Sequence, residues 1–318
     1  MRMGLRSVFK WILWALLAQF VLINISGFLY AYKLTHFYEP AANAGDEPRS
    51  KNIFVKTWRL FKGPIYRKIP IEELPGVPYQ TVKLVTKDSL SLDTWYIPVD
   101  SSRGTVILIH GLGGNKSSVL KQAYEFRYLG YNVMLVDLRA HGRSGGTITT
   151  MGFRESEDVR LAFEYILKKG EKNIILYGIS LGSVVITKAC YDYNIAPSKV
   201  ILEIPFSNFK RLVGVRGKMI GFPESPFGSF ITFWASLEQG FNGYRQETYR
   251  YVQKIKCPVL MQCGETDIFA SPAERDLVFK NIASPEKKLV VYEHAVHQSL
   301  LSASPLKWKK EVSEFVTK

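Results

Sequence analysis

From Tyr79 to the C-terminus, short apolar runs alternate with segments that repeat apolar residues at helical spacing. The first two runs, at 82–85 and 90–97, alternate apolar and polar residues, which predicts a half-buried β-hairpin. The later runs are apolar throughout, as expected of strands that are covered on both faces of a parallel sheet. These strands are predicted at 106–109, 133–136, 174–177, 200–204, 259–262 and 289–292, and helices at 117–129, 155–169, 183–193, 272–282 and 305–317. The pattern therefore predicts an α/β domain over 79–318, with a mostly parallel sheet between helices.

The N-terminal part of the chain carries an uncharged run of 22 residues, from 11 to 32. This length is enough to cross the apolar core of a bilayer, and Trp and Tyr residues lie near both ends of the run. A cleaved signal peptide would have a shorter apolar region and a cleavage site close behind it. The nearest small-residue site, Ala42-Asn43-Ala44, lies about ten residues too far along the chain. We therefore predict an uncleaved transmembrane anchor over residues 1–32.

The formal net charge is +14, and much of it lies near the apolar run. Residues 1–70 hold 11 Lys and Arg against 3 Asp and Glu, a balance that anionic lipid headgroups would attract. No nucleic-acid-binding motif accompanies this charge, which argues against a nucleic-acid partner. Arg2, Arg6 and Lys10 precede the run and only Lys33 directly follows it. This imbalance predicts a cytoplasmic N-terminus and a catalytic domain on the extracytoplasmic side.

Residues 33–78 are predicted to form a stem between the anchor and the domain. Within them, residues 41–50 are small and polar with one proline, as in a linker, and residues 51–68 mix aromatic and basic side chains. Such a mixture can lie on a membrane surface or pack its rings on the domain, and the sequence leaves both possibilities open.

The strand predicted at 174–177 runs into Gly178-Ile179-Ser180-Leu181-Gly182, and a helical pattern follows directly. A strand that turns sharply into a helix at G-x-S-x-G is a nucleophile elbow, in which a strained turn exposes the serine hydroxyl. The motif alone also occurs by chance around ordinary serines. The interpretation therefore depends on the strand that precedes it and the helix that follows it. We predict Ser180 as the nucleophile.

A glycine-rich turn at 110–117 follows the strand at 106–109. It fails both phosphate-binding patterns, because Asn115 and Lys116 stand where G-x-x-x-x-G-K-[ST] and G-x-G-x-x-G, respectively, need a glycine. A nucleotide site is therefore not expected. Such a turn leaves backbone N–H groups unpaired, which suits an oxyanion hole. We predict that the backbone amides of Leu112 and Leu181 form it.

A serine nucleophile needs an imidazole to take its proton and a carboxylate to hold that imidazole. Asp267 follows the strand at 259–262, and His297 follows the last strand. Together with Ser180 they give the chain order Ser–Asp–His, which is one of the known arrangements. We predict these three residues as the catalytic set.

Other residues remain alternatives for these roles. His294 is a second candidate base, and Glu203 and Glu265 are alternative acids at the ends of their strands. His141 lies in a Gly-rich loop before the nucleophile in sequence and is expected to brace that loop. The cysteines, at positions 190, 257 and 263, have no metal-ligand spacing and are expected to fill the core, so no metal site is predicted.

Residues 206–253 interrupt the alternation of strands and helices and contain 11 aromatic residues in 48 positions. This insertion lies between the sixth and seventh strands of the domain, where it can fold over the site as a cap. Its rings are expected both to pack the cap and to provide an apolar wall for an acyl chain.

Over residues 79–318 the chain resembles the α/β-hydrolases. The resemblance rests on H-G-x-x-G at 110–114, D-x-R-x-H-G-x-S at 137–144, G-x-S-x-G at 178–182, G-x-x-D at 264–267 and His297. Within that superfamily the chain is similar to a membrane-tethered group related to monoacylglycerol and lysophospholipid lipases and to serine aminopeptidases. The resemblance implies an eight-stranded sheet with an antiparallel strand from the first hairpin, a Ser/Asp/His triad, a cap after the sixth strand and no cofactor. The glycine turn lacks the H-G-G-G form of many lipases.

We interpret the chain as a membrane-anchored serine hydrolase that cleaves carboxylic esters with lipid-like or medium-length acyl groups. An amide hydrolase resembling serine aminopeptidases is one alternative, and it would need acidic groups in the cap, such as Glu224 and Glu238, to hold a free amine. A catalytically inactive fold used as a binding module is the other, and the complete set of triad candidates argues against it.

Overall fold

An eight-stranded sheet forms the centre of the computed structural model, which describes residues 5–38 and 63–318. The strands are β1 (Gln80–Val85), β2 (Ser91–Ile97), β3 (Thr105–Ile109), β4 (Asn132–Val136), β5 (Ile174–Ile179), β6 (Lys199–Glu203), β7 (Val259–Gly264) and β8 (Lys287–Tyr292). Their order across the sheet is β1-β2-β4-β3-β5-β6-β7-β8. β2 is antiparallel to both of its neighbours, and the other pairs are parallel. The predicted mostly parallel sheet and its antiparallel hairpin are confirmed.

Helices cover both faces of this sheet, as predicted. The helices of the described residues, including those of the cap and the N-terminal helix, are α1 (Leu5–Thr35), α2 (Leu120–Tyr128), α3 (Ser156–Lys168), α4 (Leu181–Tyr193), α5 (Phe209–Met219), α6 (Glu224–Gln239), α7 (Thr248–Tyr251), α8 (Pro272–Asn281), α9 (Leu300–Ala303) and α10 (Pro305–Thr317). The helix predicted at 117–129 begins as a 3-10 turn over Lys116–Val119, where the Asn115 side chain accepts a hydrogen bond from the Ser117 N–H. Because that cap tightens the first turn, regular α-helix starts only at Leu120.

The apolar strands supply two hydrophobic cores, one on each face of the sheet. In β3, Val106 and Leu108 belong to the core under α2, α9 and α10, whereas Ile107 and Ile109 belong to the core under α3 and α4. Successive side chains of a strand point to opposite faces, so a strand covered on both sides must be apolar at every position. This requirement explains why the central strands were recognisable as continuous apolar runs.

The predicted insertion at 206–253 contains α5 and α6, followed by α7 between two short 3-10 turns, Gly243–Arg245 and Val252–Lys254. Most of its rings pack the cap itself. Phe209, Phe227 and Phe241 are buried in the core that α3 and α4 share, whereas Phe233 is exposed. The aromatic enrichment of this segment therefore arises mainly from packing of the cap.

The N-terminal helix α1 contacts the domain through its last third only. One face of that third is buried, with residues spaced as on a helical stripe: Gly27, Tyr30, Ala31, Leu34 and Thr35. The helix lies against α6 at Gly27, where a Cβ atom would overlap the ring of Phe230. Further along, the Gln239 side chain donates a hydrogen bond of 3.2 Å to the Thr35 hydroxyl.

The described ends of the predicted stem lie on the domain instead of extending away from it. Phe37 is buried, its N–H donates to the carbonyl of Thr147 at 2.7 Å, and its ring lies 4.3 Å from that of His141. Phe37–Tyr38 and Tyr66–Arg67 form a short parallel ladder. Residues 39–62, which include the predicted linker at 41–50, lie outside the described residues.

Candidate active site

The turn between β5 and α4 holds Ser180 in a strained conformation, with φ of 53° and ψ of −112°. The flanking glycines make this turn possible. A Cβ at Gly182 would overlap the carbonyl oxygen of Ile109 in β3, and a Cβ at Gly178 would lie 2.5 Å from the backbone of Gly182. Positive φ costs free energy in a non-glycine residue and persists only where surrounding contacts enforce it. The motif thus forms the sharp strand-to-helix turn that the sequence predicts.

The structure brings Ser180, His297 and Asp267 together at the carboxyl ends of the strands. The Ser180 Oγ lies 2.8 Å from the Nε2 of His297, and the Nδ1 of His297 lies 2.7 Å from the Oδ2 of Asp267. With the proton on Nδ1, the imidazole donates to Asp267, and its Nε2 accepts from the serine hydroxyl. This is the geometry in which an imidazole can remove the serine proton.

Asp267 is held in place by its own backbone surroundings. It is buried, and its Oδ1 accepts hydrogen bonds from the N–H groups of Phe269 and Ala270 at 2.8 and 3.2 Å. The Phe269 ring also lies 5.1 Å from the His297 ring in an edge-on arrangement. The loop after β7 therefore fixes both the carboxylate and the face of the imidazole that it contacts.

The alternative acids and base do not reach Ser180 in this arrangement. Glu203 is buried, and its carboxylate accepts from the Tyr177 hydroxyl, the Trp308 indole N–H and the Leu300 N–H at 2.6–2.8 Å. Burial raises the pKa of Glu203, while these three donors favour its charged form. The side chain of His294 is 93% exposed and lies 3.9 Å from Glu265. All three alternatives therefore have contacts away from the serine.

The glycine-rich turn after β3 lies directly against the elbow, since a Cβ at Gly111 would lie 3.4 Å from the Ser180 Cβ. The N–H groups of Leu112 and Leu181 donate no hydrogen bond to any of the described residues. Both residues line the cavity that Ser180 faces. Two free backbone donors beside the serine are the arrangement that an oxyanion hole requires.

Lys116, in the same turn, is turned away from this cavity. It is fully buried, and its Nζ forms ion pairs with Asp137 and, at 2.6 Å, with Asp93. The ammonium group also lies 4.7 Å from the centre of the Trp95 ring. This lysine therefore braces the turn from inside the domain, in agreement with the failure of the phosphate-binding patterns.

His110 and His141 are buried behind the site, and both form hydrogen bonds with backbone groups. With the proton on Nδ1, His110 donates to the carbonyl of Gly111 at 2.7 Å, and its Nε2 accepts from the Leu138 N–H at 3.1 Å. His141 contacts the carbonyl of Arg139 through its Nδ1 at 2.8 Å. Burial lowers the pKa of His110 to about 4 and that of His141 to about 3. The bracing role predicted for His141 agrees with these contacts.

A small cavity of about 290 Å³, counted with its opening to solvent, lies over Ser180 and His297. Its apolar walls are formed by Leu112, Met151, Leu181, Phe206, Leu212 and Phe269. Phe206 is the one ring of the 206–253 insertion on this wall, as judged over the described residues, so the wall is largely aliphatic.

Arg216, on α5, is the lining residue that the sequence analysis did not identify. It lies seven positions after Phe209 within a helix that carries several other cations, and no motif marks it. Burial lowers its pKa.

The two cap acids considered for holding an amine, Glu224 and Glu238, are not among the described residues that line the cavity. Glu224 is paired with Arg211, and burial raises the pKa of Glu238 to about 7.

Several known proteins are similar to this chain. A family model described as serine aminopeptidase, S33, matches residues 100–222. The bem46 protein of Schizosaccharomyces pombe is 26% identical over 280 residues, covering 85% of this chain and 82% of bem46. The lysophosphatidylserine lipase ABHD12 of Mus musculus is 25% identical over 206 residues, covering 61% of this chain and 49% of that lipase. The structure of the Pyrococcus furiosus esterase Pf2001 superposes with a TM-score of 0.68 at 24% identity, covering 79% of this chain and 96% of the esterase.

The chain has the α/β-hydrolase fold, and its sequence resembles members of that superfamily. Its esterase and lipase relatives support a hydrolase. The serine aminopeptidase model ends at residue 222 and so includes the elbow but not the loops that follow β7 and β8. For this α/β-hydrolase, the positions of Asp267 and His297 therefore rest on the geometry described above.

The buried histidine His110 should make this α/β-hydrolase sensitive to acid. Because its pKa of about 4 when folded is below the ordinary value near 6.5, the unfolded chain binds more protons between these pH values. The free energy of unfolding should be unaffected by this group above pH 6.5 and fall as the pH drops, by roughly 3 kcal/mol at about pH 4.

Urea unfolding at a series of pH values measures this loss. His110→Gln should be less stable than the parent near neutral pH but should show a shallower decline below pH 6.5, since the titrating group is gone. His294→Gln, which removes an exposed histidine, should keep the parent slope. Equal slopes for the parent and His110→Gln would contradict the assignment.

Proposed function

We propose that this α/β-hydrolase is a membrane-anchored serine hydrolase that cleaves carboxylic esters through an acyl-enzyme. The observation that carries the proposal is the unbroken series of contacts from Asp267 through His297 to Ser180, beside two backbone amides that donate to none of the described residues. The strained φ of Ser180 supports it, because strain of this kind is concentrated at functional sites.

In the proposed reaction the Ser180 Oγ attacks the ester carbonyl while the Nε2 of His297 accepts its proton. The N–H groups of Leu112 and Leu181 would stabilise the negative oxygen that develops on the former carbonyl. His297 then gives the proton to the departing alcohol, and Asp267 stabilises the imidazolium. A water activated by His297 releases the acid from Ser180 by the same steps in reverse order.

The cavity favours an ester over the substrate of an aminopeptidase. Such a peptidase must hold a protonated amine, and a carboxylate near the serine would be expected to do so. The described lining instead contains Arg216, which would repel an ammonium group. The small, largely aliphatic wall suits a short or medium acyl chain, and each buried methylene is worth about 0.8 kcal/mol.

Membrane anchoring is supported by α1. Among the described residues, Arg6–Thr35 is long and apolar enough to cross a bilayer, with a mean hydropathy of 2.0 in its most apolar window. A core helix or a signal sequence meets the same test, but the part of α1 before Gly27 is almost entirely exposed. Basic residues before the run support the cytoplasmic N-terminus, with the catalytic domain on the extracytoplasmic side.

Ser180→Ala is expected to abolish both ester hydrolysis and covalent labelling by a fluorophosphonate, because the nucleophile is removed. The loss in kcat should be several orders of magnitude, since the members of a triad act as a unit. Gel fluorescence after labelling and release of p-nitrophenol from p-nitrophenyl butyrate measure the two effects. Ser183→Ala is the matched control, because that hydroxyl donates to the carbonyls of Gly178 and Glu203 and should leave labelling intact. Continued labelling of Ser180→Ala would refute the proposal.

Asp267→Asn is expected to lower kcat by about 10⁴-fold, because an amide cannot hold the imidazole in the required tautomer. Glu203→Gln should instead lower the melting temperature, since its amide cannot accept from all three donors as the carboxylate does. Rates per folded molecule and thermal unfolding separate the two effects. A larger loss of kcat in Glu203→Gln would assign the acid to β6, and a larger loss in His294→Ala than in His297→Ala would exchange the histidines.

The anchor predicts that the protein stays in membranes after an alkaline carbonate wash. Protease added from the extracytoplasmic side should then digest the catalytic domain. Replacing Arg2, Arg6 and Lys10 by Gln should weaken this orientation, because the excess of positive charge before the span would be lost. A mature N-terminus near Gly45 would show that a signal peptide had been removed.

A further inference from the structure

Arg216 lies at the edge of the catalytic cavity and has no anionic partner among the described residues. It is partly buried, its Nε is shielded from solvent, and no hydrogen bond or ion pair reaches its guanidinium within the part of the chain that the structure describes. Its contacts are with rings instead. The guanidinium carbon lies 5.5 Å from the centre of the Tyr66 ring and 5.9 Å from that of Phe269.

The surroundings make this isolation unusual. A charge removed from water is normally paired, because otherwise its lost hydration is not replaced. Arg211, five positions earlier on the same helix, has two carboxylate partners, Glu224 and Glu274. Arg216 is at the cavity and has none within residues 5–38 and 63–318, although acidic side chains are within reach of its own helix. A lack of carboxylates near α5 therefore does not explain why Arg216 is unpaired among the described residues.

The hydroxyl of Tyr66 is a second donor without a partner among the described residues. It is shielded from solvent and has no hydrogen-bond partner in the described part of the chain, and it belongs to a ring that Arg216 contacts. Arginine presents its donors in a planar fork that matches the oxygens of a carboxylate or a phosphate. The remaining lining next to it, Leu212 and Phe269, is apolar and so strengthens any charge pairing there.

We propose that Arg216 binds an anionic group of the substrate, so that the preferred substrates are esters that carry a carboxylate or phosphate close to the scissile bond. This inference rests on the proposed ester hydrolysis at Ser180 and specifies its substrate class. The anion can belong to the acyl part, as in a dicarboxylic monoester, or to the alcohol part, as in an acylated glycerol phosphate. Both present oxygens to the same guanidinium.

Two matched pairs of substrates test the inference on the full-length protein in detergent. The acyl pair is p-nitrophenyl pentanoate and mono-p-nitrophenyl glutarate, which differ by a terminal carboxylate. The alcohol pair is monooctanoylglycerol and its glycerol phosphate counterpart. The measured quantity is kcat/KM for the anionic ester divided by that for the neutral one, in the parent and in Arg216→Met.

In at least one pair, this ratio should fall by about 10- to 100-fold in Arg216→Met, because one or two charge-assisted hydrogen bonds are lost. The fall should appear mainly in KM, and Arg216→Lys should keep part of the preference. A fall for the glutarate places the anion on the acyl side, and a fall for the glycerol phosphate places it on the alcohol side. Lys218→Gln is the charge-matched control on the same helix, is exposed, and should leave both ratios unchanged.

Other outcomes overturn the inference. Unchanged ratios in both pairs, with a parent protein that hydrolyses esters, would refute it while leaving the proposed function intact. An equal loss for all four substrates would show that Arg216 supports the cap or the reaction itself, whatever the charge of the substrate. A parent protein that hydrolyses none of them and is not labelled by a fluorophosphonate would refute the proposed function and this inference together.

Discussion

The close approach of α4 to the strands β3 and β5 is the constraint on which the site depends. Gly182 lies so near the carbonyl of Ile109 that no side chain fits between them, and this contact forces the chain at Ser180 into positive φ. The same approach brings the glycine-rich turn after β3 beside the serine, so that two backbone amides from separate segments face one cavity. The contacts that pack α4 against β3 and β5 therefore also set the position of Ser180. A change in this packing would change the geometry of the catalytic residues.

The parts that could be predicted from sequence are those whose local pattern has a single structural solution. A strand covered on both faces must be apolar at every position, so β3, β5 and β6 were recognisable without any knowledge of their neighbours. The elbow was recognisable because two glycines flank a serine between a strand and a helix. The assignment of Asp267 over Glu203 was open in the sequence, since both acids end a strand. It depends on the Trp308 and Leu300 donors, which come from the far end of the chain and occupy Glu203.

Two features could not be read from the sequence because they are properties of tertiary contacts. The chain has 42 Lys and Arg residues, and nothing in the local sequence distinguishes Arg216 from the other cations of α5. The apolar run at 11–32 has the same composition whether lipid or protein contacts it. The small residues Gly27 and Ala31 were the sole indication in the sequence that its last part packs on α6. The segment assigned to a stem contains a polar linker and a mixture of aromatic and basic residues, a pattern that left its packing on the domain open, and Phe37 is buried in the domain.

The burial of the end of α1 has a consequence for how the molecule would meet its substrates on the proposed topology. The exposed part of the helix, residues 6–26, is about 31 Å long, which is close to the thickness of the apolar core of a bilayer. The helix then enters the cap directly, so the domain has no free length by which to rise from the lipid surface. The distance between the catalytic cavity and the lipid surface is therefore fixed. Such a molecule searches in two dimensions, and esters that reside in the same leaflet meet its cavity far more often than equally reactive esters dissolved at some distance from the membrane.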